Sequence, residues 1–485
     1  MKKKIAVIGS GFSSLSAACY LAKEGHEVHV YEKNNTIGGR ARQLKRNGFT
    51  FDIGPTWYWM PDIFERFFGD FGKTPSDYYE LLKLDPAYWV YFGVHDYIEI
   101  GGSLEQIFES FEKEEPGSAK LLKAFIAEAE DNYNIAIKDL VYKMYGQSPM
   151  ELVTLKTMTK VGYFINDIKS KVRKRFKNNR LAQILEFPVL FLGAKPSDTP
   201  AFYNFMNFAD FGLGTWHPKN GMYSVVEGIE QLALSLGVHI HTQSDVSSIE
   251  VKNGKACGIT VNNQKNEADL VLSGADYHHS ETLLPKQYRV YSESYWDKKK
   301  FAPSSLLFYI GFDKKIEHVA HHTLFFDVDF DAHAYTIYDE PSWPKEPLFY
   351  ASFPSKTDKE VAPDGCESAI ILIPLAPGIE DTPEIREHFF NIILERFETL
   401  TKQQIKKNII FKESYCVNDF IKDYNSYKGN AYGLANTLLQ TAFLRPKLKS
   451  KKVENLYFTG QLTVPGPGVP PSLISGKIVA DLICK

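Results

Sequence analysis

The chain has 485 residues, of which 44% are hydrophobic and 24% are charged, and its formal net charge is −3. This length is enough for about three domains, and the composition is typical of a globular protein. The small net charge gives no reason to expect nucleic acid as a partner.

The cysteines and the apolar runs exclude several other classes of protein. No C-x-x-C pair occurs, so we expect free thiols in a reducing compartment at all five positions, Cys19, Cys257, Cys366, Cys416 and Cys484. No apolar run approaches the roughly 18 residues of a membrane-spanning helix, and the first one is too short for a secretory signal. We therefore expect a cytoplasmic protein whose contact with the cell membrane is peripheral.

The first βαβ unit predicts nucleotide binding. A short β-branched run leads into Gly9 and Gly11, after which small and apolar residues recur at helical spacing. Gly9 permits the tight turn and Gly11 lets the backbone approach a pyrophosphate, while the helix that begins at Phe12 and Ser13 presents free N–H groups to it. The third small residue of this fingerprint is Ser14, a mild departure from glycine or alanine.

Two further motifs complete the predicted nucleotide site. Glu32 ends the next strand, about 20 residues after the glycines, where a carboxylate accepts hydrogen bonds from a ribose and argues against NADP. Lys33 follows Glu32. Next come Gly38 and Gly39, whose backbone is flexible, and Arg40, whose guanidinium can bind a phosphate through two hydrogen bonds, so we expect this segment to contact the phosphates. An ordinary polar turn with a surface arginine is the alternative for this last motif.

A third segment, residues 48–56, reads as a strand that ends in a turn at Gly54, Pro55 and Thr56. Four large side chains follow it directly: Trp57, Tyr58, Trp59 and Met60. They could cap a flat ring or line an apolar tunnel, and they could equally belong to the core.

Residues 78–220 show mainly helical periodicity and form a predicted helical region that contacts substrate and membrane. Within this region lies a group of cations that we call the basic stretch: Lys169, Lys171, Arg173, Lys174, Arg175, Lys177 and Arg180. Apolar residues flank it at 163–165 and 187–192. A basic, partly amphipathic helix of this kind rests on anionic membrane surfaces; a solvated helix face is the alternative.

The rest of the chain returns to mixed structure. Residues 221–290 alternate helix and strand, with Val246 at the start of one strand and Gly274 and Asp276 at the end of another, and we expect them to rejoin the first sheet. Residues 291–440 contain several strand-like runs, which predict an antiparallel sheet in a substrate-binding domain. Paired histidines at 278–279 and 321–322 lack the spacing of metal ligands, so no metal site is predicted.

The C-terminal tail carries the second informative motif. A strand ends at Gly460 and Gln461, a rigid loop rich in proline and glycine reaches Gly468, and a helix begins near Val469 and Pro470. The positive end of this helix's dipole would stabilise the negative charge of a reduced flavin.

Together these segments resemble the carotenoid desaturase (phytoene desaturase) family, within the amine-oxidase-like flavoproteins. The resemblance rests on Gly9-Ser10-Gly11 with Glu32, on Gly38-Gly39-Arg40, on residues 51–56 and on residues 455–470, and it extends more weakly over most of the chain. Within this family, the sequence as a whole resembles bacterial 1-hydroxycarotenoid 3,4-desaturases most. Ser14, Gln461, Val464, Pro467 and Pro471 depart from the family pattern and bear on the substrate more than on the cofactor.

The resemblance implies a Rossmann-like α/β domain that binds FAD, built from residues 1–77, 221–290 and 441–485, beside a discontinuous α+β substrate domain. It also implies a long apolar carotenoid as substrate and attachment to the membrane surface. The predicted cofactor-binding residues are Gly9, Gly11, Phe12, Ser13, Glu32, Lys33, Gly38, Gly39, Arg40, Gly54, Pro55, Thr56, Val246, Gly274, Asp276, Gly460, Gln461, Gly468, Val469 and Pro470.

The expected function is therefore FAD-dependent carotenoid desaturation by hydride transfer to the flavin. An amine or amino-acid oxidase on the same scaffold is the alternative, and a carrier of carotenoid or flavin is a third. No residue is predicted as the proton acceptor. Only one dinucleotide fingerprint occurs, so we expect oxygen or a quinone, rather than bound NAD, to reoxidise the flavin.

Overall fold

A computed structural model of the chain describes residues 1–154, 157, 160, 162, 166–437 and 439–485. Residues 163–165, the predicted apolar flank of the basic stretch, lie outside the described residues.

The strands are β1 Lys4–Ile8, β2 Glu27–Tyr31, β3 Gln43–Arg46, β4 Phe49–Asp52, β5 Leu81–Lys83, β6 Tyr88–Gly93, β7 Asp96–Ile100, β8 Trp216–Pro218, β9 His239–His241, β10 Val246–Lys252, β11 Lys255–Val261, β12 Gln264–Glu267, β13 Leu270–Ser273, β14 Ser304–Phe312, β15 His322–Phe325, β16 Phe349–Ser352, β17 Glu367–Leu375, β18 Ile409–Tyr415 and β19 Leu456–Phe458.

The α-helices are α1 Phe12–Lys23, α2 Pro61–Gly69, α3 Leu104–Glu114, α4 Ser118–Tyr133, α5 Ile168–Arg175, α6 Asn179–Glu186, α7 Phe205–Asn207, α8 Tyr223–Ser235, α9 Tyr277–Thr282, α10 Glu293–Asp297, α11 Phe330–Tyr338, α12 Pro383–Thr401, α13 Val417–Tyr424 and α14 Val469–Cys484.

A five-stranded parallel sheet holds the two ends of the chain together. Its strand order is β19-β13-β1-β2-β9, and β1 pairs in parallel with both β2 and β13. Because β1 is central, its Ile5 and Val7 side chains are fully buried, as expected for a parallel strand covered on both faces. Segments that are more than 250 residues apart therefore meet beside the first glycine turn.

Helices α1 and α14 pack closely against each other beside this sheet. A Cβ at Gly476 would lie 2.5 Å from the carbonyl oxygen of Ser13 and 2.6 Å from Cβ of Ser16. The Ser16 hydroxyl donates a hydrogen bond of 2.8 Å to the carbonyl of Leu473. Small residues on both helices thus bring the start of α1 against the C-terminal helix.

A seven-stranded sheet with the order β18-β14-β17-β16-β15-β6-β7 forms the second layer. Its neighbours are antiparallel except for the pair β15 and β6. Strands β6 and β7 come from the range 78–220, where the sequence shows mainly helical periodicity. The antiparallel sheet predicted for residues 291–440 thus also recruits strands from this earlier segment, and the three-part division of the chain stays a prediction.

The basic stretch is largely paired with acidic side chains of other elements. Lys171 and Arg175 both bind Glu128 on α4. Lys169 lies 2.7 Å from Asp331 on α11, Arg173 binds the buried Glu186, and Arg180 binds Asp96 and Glu114. These cations therefore hold α3, α4, α6 and α11 together rather than forming a free positive face. Within the described residues, no helix combines the length and apolarity needed to cross a bilayer.

Candidate cofactor and substrate site

A cavity of about 460 Å³ opens where the two sheets and the C-terminal helix meet. All twenty residues predicted to bind the cofactor line this one cavity, although they come from six separate segments of the chain. The cavity has a polar end near the first glycine turn and an apolar, aromatic end near residues 57–60.

The first glycine turn has the geometry of a phosphate cradle. Gly9 has φ +85°, and its N–H donates to the Tyr31 carbonyl at 2.8 Å. Gly39 lies close to Gly11, because a Cβ added at Gly39 would be 3.1 Å from Cα of Gly11. A Cβ added at Gly11 would meet nothing within 4 Å. Gly11 therefore faces open cavity at the start of α1, and this space suits a pyrophosphate.

Glu32 lies 4% exposed at the end of β2. One carboxylate oxygen accepts from the N–H and hydroxyl of Ser10, at 3.0 and 2.7 Å, and the other accepts from the N–H and side-chain amide of Asn34, both at 2.9 Å. These four donors match the roughly four lone-pair sites of a carboxylate. A ribose hydroxyl that donates to Glu32 therefore shares or displaces the Ser10 hydroxyl or the Asn34 amide.

Arg40 provides the cation at this end of the cavity. Its guanidinium donates to the Ser426 hydroxyl at 3.1 Å and the Asn430 carbonyl at 3.3 Å. Its Nε is buried and has no hydrogen-bond partner among the described residues, and burial lowers its pKa. A buried cation with a spare donor fits a phosphate, which would satisfy both the charge and the free N–H.

Two of the predicted residues also have structural tasks. The Asp276 carboxylate caps α9 by accepting from the N–H of His278 at 3.0 Å. The Lys33 ammonium donates to the Lys422 carbonyl at 2.8 Å and so holds α13 beside the cavity.

The departure at Ser14 is compensated by Gly274. A Cβ at Gly274 would clash with the Ser14 hydroxyl, so a glycine at the end of β13 makes room for the extra side chain on α1. At the next strand, a Cβ at Gly460 would lie 3.1 Å from the Ser13 hydroxyl. The close approach of α1 to β13 and β19 is thus kept without the usual small residue at position 14.

Helix α14 begins at the cavity, where Val469 and Pro470 line the wall after Gly468. Its first turn carries no acidic residue, so the positive end of the dipole faces the cavity uncompensated. Pro470 and Pro471 have no N–H, so this helix end acts on the cavity through the electrostatic field of its dipole more than through hydrogen-bond donors.

The aromatic segment after β4 divides between cavity and core. Trp57, Trp59 and Met60 line the cavity, whereas Tyr58 is fully buried, stacks on Phe64 at 4.2 Å and bonds Tyr79 through its hydroxyl. The apolar wall is completed by Phe187 and Leu190, from the apolar flank of the basic stretch, and by residues that no motif indicated: Met206, Leu324, Phe326, Phe330, Ala334, Ile337 and Leu348.

Sequence reasoning also missed the polar side chains at the apolar end. Tyr350 lines the cavity, and its hydroxyl bonds Thr56 at 2.8 Å and His322 at 2.6 Å. His333 lines it as well, with Nδ1 accepting from the Leu348 N–H and Nε2 bonded to a carbonyl. These residues lie on strands and a helix with no local motif, and the paired histidines 321–322 were weighed only as metal ligands.

Comparison with known proteins defines the class. The family model of flavin-containing amine oxidoreductases matches residues 12–484. A solved oxidoreductase structure from Methanosarcina mazei superposes with a TM-score of 0.63 at 18% identity, covering all of both chains. The chain therefore belongs to the flavin-containing amine oxidoreductase family, has its FAD-binding fold and uses FAD, which confirms the predicted cofactor.

Within this class, the chain is similar to carotenoid desaturases. It is 41% identical to the carotenoid 3,4-desaturase of Haloarcula japonica, over 99% of this chain and 98% of that protein. It is 32% identical to the 4,4′-diapophytoene desaturase (4,4′-diaponeurosporene-forming) of Staphylococcus aureus, over 99% of both. The predicted resemblance to the carotenoid desaturase family is confirmed. Contact of the individual cavity residues with FAD stays a prediction.

We predict that Gly11→Ala lowers FAD affinity about tenfold, equivalent to about 1.4 kcal/mol, without changing the free energy of unfolding of the apoprotein. The new methyl group enters open cavity and touches no protein atom within 4 Å. Fluorescence titration with FAD and chemical denaturation measure the two quantities.

Gly69→Ala is the matched control, because Gly69 ends α2 on the surface and its Cβ would also meet nothing within 4 Å. This control should bind FAD as the unmodified protein does. Equal FAD affinity in both variants would contradict the placement of the pyrophosphate at Gly11.

Proposed function

We propose that this protein is a FAD-dependent carotenoid desaturase that introduces a C=C double bond into an acyclic or monocyclic carotenoid during carotenoid biosynthesis. The single observation that carries the proposal is the continuity of the cavity, which joins a polar end suited to a phosphate to an aromatic and aliphatic wall. The full-length similarity to two named carotenoid desaturases supports it.

The bound flavin supplies an acceptor for a hydride. The protein's own contribution is to position an apolar chain and exclude water. Trp57 and Trp59 pack edge to face with ring centroids 5.1 Å apart, and Phe187 packs against both. These rings form a rigid wall on which an extended polyene can lie, and positioning and water exclusion account for much of the rate in such a site.

We extend the proposal to the bond that is oxidised. The similarity to a carotenoid 3,4-desaturase favours the 3,4 bond, and a hydroxyl group at carbon 1 would place a polar group two carbons away. Tyr338 and Tyr432 bring two further phenol groups to the cavity. They are suited to hydrogen-bond a hydroxyl at the end of a carotenoid substrate.

Pigment analysis tests this function directly. Cells that make acyclic 1-hydroxycarotenoids, or their precursors without the hydroxyl group, should accumulate a pigment with one more conjugated double bond and absorption at longer wavelength when this chain is expressed. The purified FAD-loaded protein should do the same with a quinone or oxygen as acceptor and should not turn over anaerobically with NAD alone. Peroxide release with amines, and an unchanged pigment, would favour the amine oxidase instead.

Peripheral membrane contact is a further part of the proposal, because a carotenoid substrate dissolves in the bilayer. Four exposed apolar side chains, which we call the apolar patch, lie on two neighbouring segments: Met150, Val153, Leu439 and Leu444. The Lys447 ammonium joins these segments by donating to the carbonyls of Gly146 and Phe443. The basic stretch is a weaker candidate, because most of its cations are already paired within the protein.

We predict that the double variant Met150→Asp, Leu439→Asp lowers binding to vesicles of phosphatidylcholine and phosphatidylglycerol by about 100-fold or more, because burying two such side chains in lipid contributes about 1.5–3 kcal/mol each and every 1.4 kcal/mol is a factor of about ten. Vesicle co-sedimentation measures this. Ile410→Asp, an exposed apolar residue on β18, is the control and should bind like the unmodified protein. Undiminished binding by the double variant would remove the apolar patch as the membrane contact.

A further inference from the structure

A buried hydrogen-bonded chain leads away from the apolar part of the cavity. Tyr350 on β16 lines the cavity, and its hydroxyl lies 2.8 Å from the Thr56 hydroxyl and 2.6 Å from Nδ1 of His322 on β15. His322 is fully buried behind the wall. Thr56 follows the Gly54 turn, where a Cβ would clash with the carbonyl of Arg40, so the chain begins beside the predicted cofactor-binding segment.

One arrangement of these hydrogen bonds lets a proton move from Tyr350 to His322. When the Thr56 hydroxyl donates to Tyr350, the Tyr350 hydroxyl donates to Nδ1 of His322, which leaves Nε2 of His322 protonated. That Nε2 is buried and has no hydrogen-bond partner among the described residues. In this tautomer, Nδ1 of His322 is a basic atom aligned with the Tyr350 proton, and Nε2 is a polar atom without a partner among the described residues.

The other histidines at the cavity lack this property. His333 has both ring nitrogens committed, Nδ1 to the Leu348 N–H and Nε2 to the Pro374 carbonyl, both at 2.9 Å. His279 lies at the polar end, where its Nε2 is 3.1 Å from the side-chain amide of Asn425. Neither offers a free basic atom to the apolar end.

The surroundings favour a neutral imidazole that can hold a proton briefly. Burial lowers the pKa of His322 well below its usual value, so it rests in the basic form, and burial raises the pKa of Tyr350, so its phenol rests protonated. The Trp57 indole stacks on His322 with centroids 4.0 Å apart and planes 13° apart. An indole face attracts a cation at this distance, so Trp57 stabilises the imidazolium once it forms.

We propose that Tyr350 accepts the proton that the carotenoid loses in desaturation and passes its own hydroxyl proton to Nδ1 of His322. This rests on the proposed function. One substrate carbon loses a hydride to the oxidised flavin, and the neighbouring carbon loses a proton to the Tyr350 oxygen. The electron pair of the second C–H bond becomes the new π bond, the flavin gains two electrons, and the proton resides on His322 until release.

A weak base is sufficient for this step. A C–H bond next to a developing cation is strongly acidic, so the acceptor needs correct placement more than a high pKa. Tyr350 touches the substrate space and is the catalytic residue, whereas His322 acts through Tyr350 and is a positioning residue.

The variants Tyr350→Phe and His322→Asn test the relay. Phenylalanine removes the hydroxyl; asparagine keeps an oxygen near the place of Nδ1, so the hydrogen bond remains but the base is lost. We expect product formation to slow about 100-fold in each, the lower end of what proton transfer contributes. His321→Asn is the matched control, because this neighbouring buried histidine bonds Thr357 rather than Tyr350.

Isotope effects separate the relay from a merely structural loss. Anaerobic single-turnover experiments use carotenoid deuterated either at the carbon that loses the hydride or at the carbon that loses the proton. In Tyr350→Phe and His322→Asn, the effect at the proton-losing carbon should increase and that at the hydride-losing carbon should decrease. FAD affinity and melting temperature should match those of His321→Asn, which should keep the isotope effects of the unmodified protein.

The outcomes distinguish the two proposals. If carotenoid reduces the flavin of the unmodified protein and both variants keep its isotope effects, the relay is overturned and the desaturase function stands. Losses as large in His321→Asn as in His322→Asn overturn it as well. If no carotenoid reduces the flavin of the unmodified protein, the desaturase function itself fails.

Discussion

The close contact between α1 and α14 is the constraint on which the cavity depends. Gly476 leaves no room for a side chain beside Ser13 and Ser16, so the two helices can meet only with small residues between them. This contact places the start of α1, the Gly460 loop and the start of α14 around one space. The parallel pairing of β13 with β1 and β19 fixes the same arrangement from the sheet. The polar end of the site is therefore a junction of distant segments.

Much of this polar end could be predicted because its requirements are local. Gly9, Gly38, Gly460 and Gly468 have positive φ values that glycine adopts readily, and each stands in a motif with its strand or helix beside it. The departure at Ser14 could be noted but not explained from the sequence, since its compensation is a missing side chain at Gly274, 260 residues away. Spacing along the chain carries no information about that contact.

The apolar end and the relay could not be predicted for the same reason. Tyr350 and His322 meet because β16 pairs with β15, and β15 pairs in turn with β6 from a segment with helical periodicity. The basic stretch shows a limit of reasoning from composition. Its run of cations is typical of a surface that binds anions, but its partners, such as Glu128, Glu186 and Asp331, are scattered through the chain.

The strand order of the parallel sheet has a consequence for biosynthesis. Domains usually begin to fold from the N-terminal side as the ribosome extends the chain, yet here β1 lacks a neighbour on one side until β13 has emerged, and β19 and α14 come later still. In the nascent first 250 residues, β1 is paired with β2 on one edge and open on the other, and the cavity still lacks the walls that β19 and α14 provide. We therefore expect flavin to bind only after β19 and α14 have been synthesised, and until then the open edge of β1 is free to pair with other chains.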